Sequence, residues 1–170
     1  MSDERVFIRP GSLEDEDIFL AAVDRSRKLH HPWVQAPGTP DAYRDYLMKR
    51  QDPRGAAFFI WTHEPGGLVG VVNLDEIVRG CFLSAYLGYY AFVPLAGRGL
   101  MRQGLSQVIT HAFKTMKLHR LEANIQPGNA RSRGLVRKLG FRREGISPRY
   151  LKINGRWRDH ERWALLAEDW

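Results

Sequence analysis

Cysteine is all but missing. Cys81 is the one thiol in 170 residues, which excludes an intramolecular disulfide and a cysteine zinc cluster and points to a reducing, cytoplasmic setting. The six histidines show no H-x-x-x-H or similar ligand pair. His30 and His31 are neighbours and do not easily share a metal on a regular element, so no metal is expected. Long apolar runs are missing too: none approaches the roughly 18 residues that span a membrane. Met1 to Arg5 are polar and charged, giving no sign of a signal peptide. No repeat or long linker divides the chain, and one domain over residues 1–170 is expected. Acid is in deficit, with 19 Asp and Glu against 26 Lys and Arg, a net charge of +7. Such a balance favours an anionic partner: a phosphorylated ligand, RNA or a ribonucleoprotein surface. The basic residues read as spread along the chain rather than gathered in a tail.

What is present centres on Ala85 to Leu118. A run rich in Tyr, Phe and Val reads as a strand from Cys81 to Val93. Met101, Leu105, Val108, Ile109, Ala112, Phe113 and Met116 recur at spacings of three and four, a helical pattern. Pro94-Leu95-Ala96-Gly97-Arg98-Gly99 joins the two. A strand feeding a helix through glycines leaves the first helical N–H groups without backbone partners. The helix dipole adds positive charge there, and glycine lets a ligand approach the backbone. With Arg98 and Arg102 flanking it, the turn is an anion site suited to a phosphate. A dinucleotide-binding G-x-G-x-x-G would need glycine at Arg102, and a Walker G-K-[ST] is absent. The competing reading is a tight turn whose glycines serve packing alone.

Elsewhere, Val6 to Arg9 reads as a short strand stopped by Pro10-Gly11. Ser12 caps a helix with Asp15 as capping-box partner, and that helix fades near Leu29 to Pro32. Thr39 caps a second helix with Pro40 at its first position; Tyr43, Tyr46 and Leu47 form its inner face. Ala56–Thr62 and Leu68–Asn73 form a hairpin around Glu64-Pro65-Gly66-Gly67. Leu121–Ile125 is a strand, and Asn129 opens a short helix through Leu139. Arg149–Ile153 and Arg156–Leu166 form a last hairpin around Asn154-Gly155. This order is mixed α/β, not a doubly wound parallel sheet.

Three segments in order carry a resemblance. Ala96-Gly97-Arg98-Gly99-Leu100-Met101 is similar to the [Q/R]-x-x-G-x-[G/A] turn of the GNAT acetyltransferases, with Ala96 and Met101 off the pattern. Asn129-Ala130-Arg131-Ser132 followed by Lys138-Leu139-Gly140-Phe141 resembles that family's N-x-x-[A/S]…[K/R]-L-G-F segment. Tyr150 to His160 resembles the Y-x-x-x-x-G-x-W-x-D-H ending of the ribosomal-protein-alanine N-acetyltransferases, whose G-x-G-L-M variant also accounts for Met101. The resemblance covers Leu68 to Leu166 well and the first third loosely. It implies a mostly antiparallel sheet of about seven strands, splayed between the fourth and fifth, with about four flanking helices.

It also implies an acetyl-CoA-dependent transferase. Phe92 and Val93 would bond the pantetheine arm and donate to the oxyanion. The amides of Gly97, Arg98, Gly99, Leu100, Met101 and Arg102 would hold the diphosphate, with Arg98 and Arg102 as outer partners. Asn129 would be a helix cap, a pantetheine contact, or both. Many relatives place a tyrosine acid where Val136 stands here. Ser132 would instead hydrogen-bond the departing thiolate, against the reading of a small polar residue packed in a helix. His30 to Trp33 and Tyr43 to Tyr46 would line the acceptor cleft, with Tyr150, Trp157 and Asp159 on its other wall.

No carboxylate precedes the glycine turn, where Val93 and Pro94 stand. Asp75, Glu76, Asp159 and His160 are therefore the candidates for proton removal, directly or through water. An α-amine with a pKa near ~8 is roughly a fifth neutral at pH 7.4, whereas a lysine amine near ~10.4 is roughly a thousandth neutral. The lack of a clear base thus favours a protein N-terminus, a ribosomal-protein alanine in the group resembled. Nucleic acid would enter only through the ribosome, and a homodimer is compatible with the reading. The rivals are a small-amine transferase, for an antibiotic or polyamine, and a non-catalytic acetyl-CoA- or RNA-binding module.

Overall fold

Period-two burial shapes the sheet. In β2 (Ala56–Thr62) Phe58 and Ile60 face one core while Ala57, Phe59 and Trp61 face another. A strand covered on both faces reads as an unbroken apolar run. The computed structural model describes residues 5–64 and 66–170. The expected turn through Pro65 lies outside the described residues. The remaining strands are β1 (Val6–Pro10), β3 (Leu68–Val78), β4 (Ser84–Ala91), β5 (Arg120–Ile125), β6 (Arg142–Ile153) and β7 (Arg156–Leu166). They form one sheet in the order β1-β2-β3-β4-β5-β7-β6. All neighbours are antiparallel except β4 and β5.

Helices α1 (Glu16–Arg25), α2 (Arg27–His30) and α3 (Pro40–Lys49) attend one face. Helices α4 (Leu100–Lys114) and α5 (Ala130–Lys138) attend the other. The capping signals act as read. The Asp15 carboxylate accepts from the Ser12 N–H at 2.9 Å and meets Arg9 at 2.6 Å. Thr39 Oγ1 accepts from the Ala42 N–H at 3.2 Å.

Four boundaries differ from the expectations. The first helix opens with a 3-10 turn, Leu13–Asp15, and breaks at Ser26, giving five α-helices rather than four. Ser26 is fully buried and its hydroxyl bonds outside the helix. β3 runs on past Asn73 because Leu74 and Ile77 continue its buried face. β4 begins at Ser84, not Cys81, since Gly80 has φ +74° and Cys81 and Phe82 are exposed in the turn. β6 begins at Arg142, not Arg149. Its register shifts at Arg143/Gly145 and Ser147/Leu151, which blurs the alternation a strand would show. It is an edge strand, and Pro148 falls in the second register break, where it costs no ladder bond.

The seating of α4 depends on Gly104. A Cβ there would stand 2.4 Å from Ile60 Cδ1, with two more Ile60 carbons at 2.6 Å. Gly104→Ala is therefore expected to lower stability by about 1–3 kcal/mol through overpacking, measured by urea unfolding. Adding Ile60→Val should recover part of that loss; equal stability of wild type and G104A would contradict this packing.

Candidate functional site

The ladder between β4 and β5 is short. It pairs Ser84 with Arg120, Ala85 with Leu121 and Tyr86 with Glu122, then stops. Beyond Tyr86, β4 keeps β3 through Ala91 opposite Gly70, and β5 keeps β7 through Ile125 opposite Glu161. The two strands therefore part towards their C-terminal ends, and a cleft opens in the middle of the sheet.

Both walls are fixed by side chains. His30 is buried, and its Nε2 lies 2.9 Å from the Ala91 carbonyl. A carbonyl only accepts, so Nε2 carries the proton and Nδ1 the lone pair. The His30 ring also packs edge-on against Tyr90. On the other wall, Asn129 caps α5 by accepting from the Ser132 N–H at 3.2 Å. Glu161 ties α5 to β7. Its buried carboxylate meets Arg133 at 3.1 Å and Arg143 at 3.5 Å and accepts from the Trp163 indole N–H at 3.1 Å. One link crosses between the walls: the Tyr89 hydroxyl of β4 lies 2.6 Å from Ser132 Oγ of α5. Burial pushes the Tyr89 phenol up to about 12, against the bond to Ser132, so this pair stays protonated at neutral pH. At the rim, Trp33 would touch a Cβ placed on Gly128, and Asn154 Nδ2 donates to the Pro32 carbonyl at 3.4 Å.

At the mouth of the cleft β4 leads into the glycine turn. The Ala96 N–H bonds to the Phe92 carbonyl at 2.8 Å, and Gly97 and Gly99 hold φ of +81° and +79°. From Gly97 to Arg102 the six amide N–H groups find no acceptor among the described residues; the first helical bond is Gln103 N–H to the Gly99 carbonyl. The Arg98 and Arg102 side chains are exposed and meet no acid among the described residues. Arg5 adds a third guanidinium, donating to the Arg98 carbonyl at 3.4 Å. Six amides, a helix N-terminus and three arginines form an anion cradle.

Residues 5–142 match the family model described as an acetyltransferase (GNAT) domain. The chain belongs to the GNAT acetyltransferases. It is 40% identical to the [ribosomal protein uS5]-alanine N-acetyltransferase of Escherichia coli, over all of this chain and 92% of that protein. Among solved structures, the ribosomal-protein-S5-alanine acetyltransferase of Vibrio fischeri has a TM-score of 0.87 at 26% identity, covering 100% of this chain and 97% of that one. RimJ of Mycobacterium smegmatis, solved in complex with CoA-disulfide, has a TM-score of 0.88 at 27% identity, covering 96% and 82%. The chain is accordingly an N-acetyltransferase enzyme of the RimJ type.

Against that acetyltransferase frame, the sequence-derived residues divide. Gly97 to Arg102, Asn129, Ser132 and Trp33 gather around the cleft and its mouth. Tyr43 does not: it is fully buried between Phe19 and Phe59, and its hydroxyl donates to the Ser12 carbonyl at 2.7 Å. It is a core residue, because the helical spacing that marked it as inner face also removes it from any cleft wall. Tyr46 is likewise buried and donates to Asn73 Oδ1 at 2.6 Å.

Phe92 and Val93 stand at the end of β4, but their amides are engaged. The Phe92 N–H bonds to the Val69 carbonyl at 2.8 Å and the Val93 N–H to Ser26 Oγ at 3.0 Å. β4 ends at Ala91, short of the expected Val93, but the Phe92 N–H adds one more bond to β3 and Ser26 takes the next donor.

Of the basic candidates, Asp75 pairs with Arg50 at 3.0 Å, although burial still raises it above the ordinary carboxylate range. Asp159 accepts from the Arg149 N–H at 2.7 Å, closing a bulge in the hairpin. Glu76 is exposed. His160 is buried, its Nδ1–H donates to the Arg158 carbonyl at 2.9 Å, and its Nε2 bonds nothing among the described residues. The Tyr150 and His160 ring centroids lie 6.4 Å apart, and the neighbouring Tyr150 hydroxyl and burial push the Tyr86 phenol up to about 12.

Tyr89, Ser26, Arg5 and Glu161 escape the sequence reading. The Tyr89-Tyr90 pair held the usable signal: adjacent strand residues point to opposite faces, so one of the two had to face α5.

Burial lowers the folded pKa of His30 below its ordinary ~6.5, outweighing the bond to Ala91. Between those two values the unfolded chain binds more protons. The stability this site contributes is thus fully present above about pH 6.5 and is lost as pH falls through the lower, folded value. The urea midpoint should drop between pH 7.5 and pH 5, and less steeply in His30→Gln. Identical pH slopes for the two proteins would contradict a neutral, buried His30.

Proposed function

We propose that the chain transfers the acetyl group of acetyl-CoA to the N-terminal α-amine of a protein, and that this acceptor is a ribosomal-protein alanine. The observation that carries the donor side is the set of six amides at Gly97–Arg102 that have no partner among the described residues, beside a gap between two strands. A diphosphate satisfies those amides, with Arg98, Arg102 and Arg5 answering the further charge. The open edges of β4 and β5 suit an extended arm with amide groups of its own. RimJ solved with CoA-disulfide at 27% identity supports this assignment. The acceptor side is supported by full-length similarity to the uS5-alanine transferase.

Acetyl-CoA supplies an activated acyl group on a thiol whose ordinary pKa is near ~8.5. Such a thiolate leaves with little help, so a hydroxyl is acid enough. Ser132 is that donor. With Tyr89 as the donor to Ser132 Oγ, the serine proton is free to point into the cleft. Hydrogen bonds in such a chain polarise one another. On the acceptor side a strong base is unnecessary, since a useful fraction of an α-amine is already neutral. His160 is the buried candidate for proton removal, directly or through water, and Trp33 and Tyr150 are read as lining the path of a peptide. Asn129 keeps its capping bond and thereby holds Ser132 in the first turn of α5. The chain acts as one transferase domain.

Two measurements test this reading. Ser132→Ala should lower kcat about tenfold, the worth of one hydrogen bond to a developing charge, with the KM for acetyl-CoA unchanged. Tyr89→Phe should cost less, about threefold, and add nothing to Ser132→Ala; additive losses would separate the two residues. For the acceptor, alanine-starting peptides should be acetylated at the α-amine, whereas an N-terminally blocked lysine peptide and spermidine should not. Turnover of lysine or polyamine alone would remove the α-amine reading while leaving a transferase.

A further inference from the structure

The positive charge of this chain is confined to one part of it. Residues 131–162 carry eleven Lys and Arg against Glu144, Asp159 and Glu161, a net charge of +8. The whole chain is +7, so the other 138 residues sum to −1. The sequence reads as evenly basic because arginines occur throughout, yet in the first two thirds acids accompany them. Arg9 pairs with Asp15, Arg44 with Glu16 and Arg50 with Asp75.

At the free end of the β6–β7 hairpin that matching stops. Arg149, Lys152, Arg156 and Arg158 are exposed and form no ion pair among the described residues. Trp157, 61% exposed, shares one face of this two-stranded ribbon with Lys152, directly opposite on β6, while its strand neighbours Arg156 and Arg158 point to the other face. A large indole left in solvent on a narrow ribbon that is cationic on both faces satisfies no folding need. A hydrophobic partner would bury the indole but leave four desolvated cations. A second copy of the chain would set two patches of like charge face to face. An acidic polypeptide answers the charge and gives the ring nothing specific. A single-stranded nucleic acid answers both, with phosphates on the guanidinium and ammonium groups and a base on the indole.

We infer that the tip of the β6–β7 hairpin is a docking surface for single-stranded RNA. The surface is separate from the glycine turn. The choice of RNA over DNA rests on the ribosomal-protein reading above, because RNA is what surrounds such an acceptor. Docking there would concentrate the enzyme near ribonucleoprotein, beside the cleft rim where Asn154 meets Pro32.

The test is fluorescence anisotropy of the full-length protein with a labelled single-stranded RNA, as salt is raised from about 50 mM. Wild type should bind, with log K falling linearly against log salt. Charge reversal in Lys152→Glu/Arg156→Glu/Arg158→Glu should weaken binding at least tenfold and reduce the slope by about 2, three contacts at roughly 0.7 each on a single strand. Trp157→Ala, a surface truncation, should weaken binding severalfold and leave the slope alone, since stacking releases no counterion. The heat of coenzyme A binding should survive in both variants, and saturating coenzyme A should not displace the RNA. The proposal falls on any of four results. These are no binding at tens of micromolar protein and low salt, variants that bind like wild type, RNA displaced by coenzyme A, or tighter binding of polyglutamate or of the matching DNA. Failure of peptide acetylation with RNA binding intact would remove the acceptor reading and spare this surface.

Discussion

Backbone amides that leave one hydrogen-bonded ladder must find another partner, and here two ladders end within a few residues of each other. β4 and β5 part after Tyr86 and Glu122, while the other edge of each strand stays paired. The edges so exposed run to the turn at Gly97–Arg102, where six more donors wait at the start of α4. Gly97, Arg98, Gly99 and Arg102 are exposed, so water meets their amides until a ligand displaces it. On the proposed reading a phosphorylated, amide-bearing chain brings acceptors along the gap and the turn.

The rest of the molecule keeps that gap at a fixed width. The two cores flank the sheet, α4 sits close against β2 through Gly104, and α5 is locked to β7 by Glu161 with Arg133 and Arg143. His30 holds the end of β4 from one side while Tyr89 reaches α5 from the other. Each contact anchors a different wall, which is how a discontinuity in a sheet can be a rigid feature and not a frayed one. On the proposed reading the chemistry asked of the protein is then modest: hold the donor, direct one hydroxyl at the leaving sulfur and admit an amine that is partly neutral already.

Much of this was legible in the amino-acid order. The glycine turn between strand and helix, the caps at Thr39 and Asn129, and the Asn154-Gly155 hairpin are local signals, and local physics decides them. What escaped depends on contacts between distant segments. Tyr43 carries an aromatic ring suited to a cleft, but only the packing of α3 against Phe19 and Phe59 shows that it is sealed inside. The Phe92 and Val93 amides look free from their strand alone; Val69 and Ser26, distant in sequence, occupy them. β6 hid because its two register shifts break the alternation by which strands are recognised. The Tyr89–Ser132 pair joins residues 43 positions apart, and no spacing rule reaches that far. The charge asymmetry was present in the sequence throughout, but it emerges only when residues are summed by the element they build.

The central claim is that the amides from Gly97 to Arg102 receive the diphosphate of the acyl donor. Amide-resolved NMR during titration with coenzyme A addresses it directly. The account predicts that the N–H resonances of Gly97, Arg98, Gly99, Leu100, Met101 and Arg102 move downfield together, as new acceptors would make them do, with the largest changes confined to that turn and the facing edges of β4 and β5. Saturable binding that leaves those six resonances in place, or no binding at millimolar coenzyme A, would contradict it.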